Sequence, residues 1–328
     1  MKKHLSRYNR SLIFLFLFSG ILSSAHAAIG DITTVLGSGS AGYNGDNLYS
    51  WSDVQLNKPS YVLAYQDGIY VVDTFNQRVR RTNSGTNSYW RIETVAGEIN
   101  TQNFRKGFSG DGGPATQALL NNPWAVALDK HGNLYIADAD NHRIRKVDTG
   151  GTITTVAGNG TQGSAGDGGV ALNAELDYPD GVAIDGFGNL YIANVGSNTI
   201  RKVDTAGTIT RVAGTTGQAG FSGDGGRAIE AKLNAPKRVT VTSTGIIYVV
   251  DKGNDRIRKI DTNGIITTVV GNGKGYGGDG GSATGALLNS PSDVAIDSSG
   301  NLFIADTENH RIRKVDAVTN NISTIAGS

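Results

Sequence analysis

Three residue types that could do chemistry recur together along the chain: an Asp, an Asn three residues later, and an Arg two residues after that. A carboxylate, an amide and a guanidinium so close in sequence could bind an ion or a polar substrate. An active site is needed only once, however, whereas this set is written four times. We therefore interpret it as a structural brace, in which Asp and Asn tie a turn and the Arg fork bridges carboxylate to carbonyl groups. Its members are Asp73, Asn76, Arg78, Asp138, Asn141, Arg143, Asp251, Asn254, Arg256, Asp306, Asn309 and Arg311.

A second repeated carboxylate lies inside the motif Gly-Asp-Gly-Gly, at Asp111, Asp167, Asp224 and Asp279. A carboxylate among backbone carbonyls in a flexible loop suits Ca²⁺, which takes about six to eight oxygen ligands. One Asp per loop supplies few of these, and an Asp between glycines commonly hydrogen-bonds its own turn. We expect no cofactor, with Ca²⁺ at these four residues as the weaker alternative.

Histidine and cysteine give little support for other metal or nucleophile chemistry. His142 and His310 occupy the same position of a repeat, and His131 stands apart from both. Zinc needs convergent ligands with supporting hydrogen bonds, which this spacing does not indicate. The sequence has no Cys, which excludes thiol catalysis and thiolate metal sites.

The elements that must position these residues are repeated units. The octapeptide NHRIRKVD stands at 141–148 and again at 309–316, and related octapeptides begin at 76, 197 and 254. Each of the five units also carries segments such as AVALD, NLYIADA and ITTVAG, which are rich in Val, Ile, Tyr and Thr and separated by Gly-containing turns. The pattern predicts four short antiparallel strands per unit.

Such a sheet cannot bury itself alone. The segment LYIAD is apolar on both faces, so it must be covered on both sides, whereas RIRKVD alternates and should be half exposed. Four-stranded sheets at this period stack side by side around an axis. The sequence therefore predicts an all-β fold, a β-propeller of four-stranded antiparallel blades.

The string P-x-x-V-A-[LI]-D-x-x-G-N-L-[YF]-I-A-D-x-x-N-H-R-I-R-K-V resembles the NHL repeat family of β-propellers over essentially all of 30–328. Family members usually have about six blades, whereas this chain has five units, each lengthened by the Gly-Asp-Gly-Gly loop. The segment DITTVLG at 31–37 looks like an extra outer strand, and ISTIAG at 322–327 ends the last unit. We favour five blades, with an incomplete six-bladed ring as the alternative, and oligomerisation could complete such a ring.

The N-terminal sequence predicts the cellular location, and the charge balance limits the classes of partner. A basic start, the apolar run LIFLFLFSGIL at 12–22 and Ala25-His26-Ala27 predict a signal peptide at 1–27 and a single exported domain at 28–328, secreted or periplasmic. No membrane span is expected after cleavage. The 30 basic and 29 acidic side chains nearly balance, which argues against a nucleic-acid partner.

The sequences of the five units differ just after a Pro, at the start of the innermost strand of each unit. The Gly-Asp-Gly-Gly loops and the Asp-x-x-Asn turns should share one rim, and these divergent positions should lie around the mouth of the central channel there. An aromatic side chain, two carboxylates and two cations could form a polar pocket, although drift of loop positions is an equally weighted explanation. The predicted ligand-binding set is Tyr61, Trp124, Asp180, Lys237, Arg238, Ser292 and Asp293.

Repetition without a single catalytic constellation favours a binding scaffold over an enzyme, with a protein or carbohydrate partner. The NHL resemblance implies the same, because such propellers frequently serve as interaction platforms. The alternative is a metal-dependent enzyme similar to lactonase or lyase propellers, with its site in the channel. Asp180 and Asp293 would then be metal ligands, although Lys237 and Arg238 would oppose a cation.

Overall fold

The computed structural model describes residues 34–48, 51–65, 68–84, 90–99 and 105–328. The predicted signal peptide at 1–27 lies outside these residues. The described chain forms five four-stranded antiparallel sheets whose strands follow one another in chain order. The prediction of an all-β propeller with five four-stranded blades is confirmed.

Each blade is a simple meander from the innermost to the outermost strand. Blade 1 contains β1 (Tyr61–Tyr65), β2 (Gly68–Asp73), β3 (Arg78–Ser84) and β4 (Trp90–Ala96); blade 2 contains β5 (Pro123–Leu128), β6 (Leu134–Asp138), β7 (Arg143–Val147) and β8 (Ile153–Ala157); blade 3 contains β9 (Pro179–Ile184), β10 (Leu190–Asn194), β11 (Thr199–Val203) and β12 (Ile209–Ala213); blade 4 contains β13 (Pro236–Val241), β14 (Ile247–Asp251), β15 (Arg256–Ile260) and β16 (Ile266–Val270); blade 5 contains β17 (Asp293–Ile296), β18 (Leu302–Asp306), β19 (Arg311–Val315) and β20 (Ile322–Ala326).

Short 3₁₀ turns occupy the loops of the described chain. They lie either in the turn after the second strand of a blade or in the loop that precedes its first strand. Their bounds are Trp51–Asp53, Thr74–Asn76, Ala115–Gln117, Ala139–Asn141, Ala171–Asn173, Ala228–Glu230, Lys252–Asn254, Ala283–Gly285 and Thr307–Asn309. Within the described residues no helix is long and apolar enough to cross a membrane.

The segment DITTVLG, predicted as an outer strand, is only partly described. Residues 31–33 lie outside the described chain, and residues 34–37 belong to no strand. The outer strand of blade 5 is instead β20, which pairs with β19.

Apolar side chains join consecutive blades. Between blades 1 and 2, Tyr70, Val72 and Val79 pack against Ile136 and Ile153, all nearly inaccessible to solvent. Equivalent clusters lie between blades 2 and 3, 3 and 4, and 4 and 5. Burying an aliphatic side chain of this size contributes about 1.5–3 kcal/mol to stability, so these clusters hold the blades side by side.

The Gly-Asp-Gly-Gly loops cover the outer edge of the next blade. The Gly112 N–H donates to the Ile153 carbonyl and the Ala115 N–H to the Gly151 carbonyl, each at 2.8 Å. Gly110 needs to be glycine because its φ is +89° and a Cβ there would stand 2.8 Å from the Ala118 Cα. The loop satisfies backbone groups at an otherwise open sheet edge.

Candidate functional site

The repeated Asp and Asn form a buried brace in each blade that carries them. In blade 2, the Asp138 carboxylate accepts bonds from the Asn121 N–H at 2.7 Å and the Asn141 side-chain amide at 2.8 Å. The same two bonds recur at Asp73, Asp251 and Asp306. These carboxylates are fully buried, so they connect the turn to the preceding loop and are not presented to a ligand.

The arginine that meets this carboxylate differs from the one the sequence pattern singled out. Arg145 Nη1 lies 3.3 Å from Asp138 Oδ2, whereas Arg143 donates to the carbonyls of Asn141 and Asn159. Arg143 also stacks on Phe108, with 3.8 Å between the guanidinium carbon and the ring centre. The expectation that RIRKVD is half exposed is wrong at the second arginine, which is fully buried in every blade, at Arg80, Arg145, Arg201, Arg258 and Arg313.

The buried arginine also binds the Gly-Asp-Gly-Gly carboxylate. Arg145 Nη2 donates to Asp111 Oδ1 at 2.7 Å, and the Thr155 hydroxyl donates to Asp111 Oδ2 at 2.7 Å. The corresponding pairs are Arg201 with Asp167, Arg258 with Asp224, Arg313 with Asp279 and Arg80 with Asp46. A calcium ion at these aspartates would compete with a buried guanidinium. In the described part of the chain, no three His, Asp or Glu side chains are grouped to hold a metal.

Blade 3 shows that these contacts vary together. It has Asn194 for the braced aspartate, Thr199 for the first arginine, and Ser164 where blade 2 has Phe108. The Asn194 amide donates to the Ser197 hydroxyl at 2.7 Å and accepts from the Asp177 N–H at 2.7 Å. The turn is therefore hydrogen-bonded with neutral groups, and the arginine and its aromatic partner are replaced as a pair.

Four of the predicted channel-mouth residues face one side chain, that of Arg238; they are Tyr61, Trp124, Asp180 and Asp293. Its Nη1 donates to Asp180 Oδ1 at 2.5 Å and to the Asp180 carbonyl at 2.8 Å. Its Nη2 donates to the carbonyls of Trp124 and Ser60, at 3.0 and 3.4 Å. Arg238 is only 3 % exposed. A single guanidinium from blade 4 thus ties together the innermost strands of blades 1, 2 and 3.

Blades 1 and 5 meet the same guanidinium through electrostatic contacts. The Arg238 guanidinium carbon lies 5.2 Å from the centre of the Tyr61 ring. Burial and the nearby Asp293 carboxylate raise the pKa of the Tyr61 hydroxyl, which keeps it protonated. Burial also raises the pKa of the Asp293 carboxyl, although the positive charge of Arg238 opposes that shift. Arg238, Asp180, Tyr61 and Asp293 therefore form one compact charged cluster at the innermost strands, the Arg238 plug.

Two half-buried side chains lie beside this plug. The Lys237 ammonium stands 5.1 Å from the centre of the Trp124 ring. Burial, with repulsion from Arg238 and Lys252, lowers the pKa of Lys237 to about 8 against the attraction of Asp180. An amine over an indole can bind anionic or hydroxyl-rich groups.

Packing explains part of the divergence at these positions. A Cβ on Gly181 would stand 2.8 Å from the Lys237 carbonyl oxygen and 3.0 Å from the Arg238 Cα. The inner strands of blades 3 and 4 approach closely because Gly181 has no side chain. Ser292 is instead bonded within its own blade, since its hydroxyl accepts from Thr307 at 2.6 Å and its N–H donates to the Ala305 carbonyl.

Comparison with known proteins agrees with this architecture. The family model for the teneurin NHL domain matches residues 60–165, 159–221 and 215–276, and the NHL repeat model matches residues 288–315. The chain belongs to the NHL-repeat β-propeller family. This confirms the resemblance drawn from the repeated strings.

Relatives of this NHL-repeat propeller are much longer proteins. It is 32% identical over 292 residues to Protein SUPPRESSOR OF QUENCHING 1, chloroplastic, of Arabidopsis thaliana, covering 85% of the chain but 27% of that protein. It is 30% identical over 278 residues to Teneurin-1 of Gallus gallus, covering 76% of the chain but 10% of that protein. The chain thus spans about a quarter or less of these curated relatives.

Solved structures share the fold of this NHL-repeat propeller at low identity. An auxiliary nutrient binding protein from Bacteroides ovatus superposes with a TM-score of 0.60 and 15% identity, covering 89% of this chain and 63% of that one. A streptogramin B lyase superposes with a TM-score of 0.51 and 14% identity, covering 85% and 70%. At such identities the likeness shows the fold alone.

Sequence reasoning missed the second arginine of the NHL-repeat brace, although a signal was present. Arg201 stands in blade 3, where the first arginine and the braced aspartate are both replaced. An arginine retained in all five units is the better candidate for the obligatory partner. Its pairing with a carboxylate 34 residues away, such as Asp111 with Arg145, depends on the fold.

Proposed function

We propose that this protein is an exported binding scaffold that engages a protein or glycan partner through the channel-mouth residues Trp124, Asp180, Lys237 and Asp293. The observation that carries the proposal is the convergence of side chains that differ between blades on the Arg238 plug. The repeated Asp and Arg side chains, in contrast, are already paired with each other in the braces within and between blades. Loops and strand ends on a rigid scaffold are where binding sites usually lie.

The chemistry of the mouth supports a polar partner. Lys237 and Trp124 present a cation beside an aromatic ring, and Asp180 adds a carboxylate with 16% of its side chain exposed. Arg238 fixes Asp180 and so preorganises the group for a ligand. Aromatic and charged groups that are held rigidly lose little entropy on binding.

The comparisons support a binding role without specifying the partner. One solved structure with the same fold is described as an auxiliary nutrient binding protein, and teneurin NHL domains match much of the chain. The predicted signal peptide supports a secreted or periplasmic location. We assign the partner to the protein or carbohydrate class because the charge of the chain is nearly balanced.

A metal-dependent enzyme at the channel is the second function that the sequence suggested, and the geometry does not favour it. The Asp180 carboxylate is already paired with Arg238, and the Lys237 ammonium is close to both. A divalent cation would have to displace a buried guanidinium beside another positive charge. Metal analysis of the purified protein tests this alternative, since a stoichiometric ion lost in Asp180→Ala would support the enzyme.

The binding proposal is tested by screening the purified protein on glycan and surface-protein arrays. Trp124→Ala and Lys237→Ala should each weaken binding of the partner at least tenfold. Lys314→Ala is the matched control, because Lys314 also lies over an aromatic ring, that of Phe303, but in a position filled by Lys in four blades. Binding that survives both mouth variants, or that Lys314→Ala weakens equally, would contradict the proposal.

A further inference from the structure

A second candidate site lies away from the channel mouth, in a cleft of about 660 Å³ between blades 1 and 2. One wall is the face of blade 1 that bears Tyr70, Arg81 and Glu93. The other wall consists of two turns of blade 2, around His131 and Thr149. These turns join the first strand to the second and the third to the fourth. In a meander they lie at the opposite end of the blade from the Asp-x-x-Asn turns.

Blade 1 contributes a row of fixed polar groups. Arg81 Nε and Nη2 both donate to Glu93 Oε1, at 3.1 and 2.5 Å, and Nη1 donates to the Tyr70 hydroxyl at 3.4 Å. The Arg81 and Glu93 side chains remain 38% and 37% exposed. Tyr65 lines the same cleft. A guanidinium, a carboxylate and the Tyr65 ring are thus held at one accessible wall, and the buried Tyr70 supports the guanidinium from behind.

Three members of this row, Arg81, Glu93 and Tyr65, are specific to blade 1, whereas the position of Tyr70 is aromatic in every blade. At the strand pair where blade 1 has Arg81 opposite Glu93, the other blades have Lys opposite Thr or Ser. Tyr65 occupies the position that is Asp129 in blade 2 and Thr242 in blade 4, judged from strand pairing. The substitutions by Arg, Glu and Tyr all fall in one cleft, although the blade fold is built without them four times. The pairs in the other blades are Lys146 with Thr154, Lys202 with Thr210, Lys259 with Thr267, and Lys314 with Ser323.

The facing wall is also specific to its blade. Blade 2 places Lys130 and His131 in the turn between its first two strands. The same turn carries Gly186 and Phe187 in blade 3 and Ser298 and Ser299 in blade 5. The residues specific to blade 1 therefore face a turn whose side chains differ from blade to blade, so the lining of this cleft is not reproduced between the other blades.

We propose that this cleft binds a neutral carbohydrate. Arg81 and Lys130 balance the charges of Glu93 and Asp148, so the lining favours a ligand without net charge. The guanidinium can donate to a hydroxyl that also donates to the Glu93 carboxylate, which suits neighbouring hydroxyl groups. Tyr65 offers aromatic surface for the apolar face of a sugar ring, and the cleft volume is typical of small-ligand sites, about 300–1,000 Å³.

The experiment measures binding of cellobiose, maltose and lactose by saturation-transfer NMR and calorimetry on the whole protein. We expect at least one of them to bind, with a dissociation constant on the order of 1 mM. The double variant Arg81→Lys/Glu93→Thr restores the residues of the other blades and is therefore expected to fold. It should weaken sugar binding at least tenfold, and Tyr65→Ala should do the same.

Controls separate this site from the channel mouth. Lys202→Arg/Thr210→Glu makes the converse change in blade 3 and should leave sugar binding unchanged, as should Trp124→Ala at the mouth. The thermal midpoint of each variant shows whether it has folded. Binding of none of the three sugars, equal binding by Arg81→Lys/Glu93→Thr, or a preference for inorganic phosphate over every sugar would overturn the proposal. Loss of sugar binding in Trp124→Ala would assign the sugar to the mouth instead.

Discussion

Arg238 in blade 4 donates to the carboxylate of Asp180 in blade 3, with 2.5 Å between Nη1 and Oδ1. The same guanidinium reaches carbonyls of blades 1 and 2 and faces Asp293 of blade 5. Groups from all five blades therefore meet at one side chain. The proposed binding site therefore contains the side chain that joins the blades. Substitutions there are expected to change both ligand binding and the stability of the fold.

Replacing Arg238 should destabilise the protein strongly. Arg238→Ala leaves the Asp180 carboxylate and two strand carbonyls without their donor, and breaking such a buried pair costs about 3–5 kcal/mol. Urea unfolding followed by tryptophan fluorescence measures the free energy of unfolding. Arg227→Ala is the control, because Arg227 pairs with Glu230 in solvent and should change that free energy by less than about 0.5 kcal/mol. Equal effects of the two changes would contradict the axial role.

A methyl group at Gly181 should be costly for a steric reason. Gly181→Ala would force a Cβ to 2.8 Å from the Lys237 carbonyl oxygen. Overpacking of this kind typically costs about 1–3 kcal/mol. Gly186→Ala lies in the turn of the same blade with no atom within 4 Å of the added Cβ, and should be nearly neutral. The difference between the two variants in urea unfolding is the test, and a neutral Gly181→Ala would show that blades 3 and 4 are packed less closely.

The braced aspartates should make stability depend on pH. Burial raises the pKa of Asp138 to about 6, despite its hydrogen bonds and Arg145. A raised pKa gives a contribution to stability that is complete below the unfolded pKa, near 3.8, and is lost as the pH rises through about 6. The free energy of unfolding of the wild type should therefore fall relative to Asp138→Asn between pH 4 and 7, by about 1–3 kcal/mol.

An exposed aspartate provides the comparison of opposite sign. Hydrogen bonds from Thr319 lower the pKa of Asp316, whose stabilising contribution is present at neutral pH and lost on acidification. At neutral pH the free energy of unfolding of Asp316→Asn should therefore be lower than that of the wild type, and this difference should shrink as the pH falls. If the free energy of unfolding of the wild type instead rises relative to that of Asp138→Asn as the pH increases, the prediction is contradicted. The charge of Arg145 would then outweigh burial and lower the pKa of Asp138.

Lys237 should change charge in the mildly alkaline range. Burial lowers its pKa to about 8, so the amine becomes neutral and nucleophilic above that pH. Labelling with acetic anhydride at a series of pH values, followed by peptide mass spectrometry, should show acetylation of Lys237 rising with a midpoint near 8. An anionic partner at the mouth should bind more weakly over the same range. A labelling midpoint above pH 10 would contradict the burial of this amine.

Calcium should leave the stability unchanged. The Asp111 carboxylate is held by Arg145 and Thr155, so neither millimolar calcium nor a chelator is expected to shift the thermal midpoint. Asp111→Asn should lower that midpoint, because it removes one of the two carboxylates that pair with the buried Arg145. A calcium-dependent increase in the wild type that is lost in Asp111→Asn would show a metal site at these loops.

Much of the fold follows from local, repeated features of the sequence. Strand length, turn glycines and the two-sided apolar pattern of LYIAD depend on neighbours a few residues away, so the five repeat units can be read from the amino-acid sequence, whereas the choice between five blades and an incomplete six-bladed ring needed the structure. Internal comparison also separated the repeated brace residues from the divergent ones near Arg238. The sequence pattern assigned Arg143 to the brace, whereas Arg145 is the arginine that pairs with the carboxylates. Alternation along one strand does not show which of its side chains will be covered by a loop that lies 34 residues earlier in the chain.

The sequence by itself determined the repeat, the blades and the positions where they differ, because these arise from short-range backbone and hydrophobic preferences. The tertiary structure alone decided which side chains meet. Arg238 finds Asp180, Trp124 and Ser60 at separations of 58, 114 and 178 residues, and Arg81 and Glu93 share a cleft with His131 of the next blade. Such contacts follow from blade stacking, strand register and the sizes of facing side chains, which no local pattern encodes.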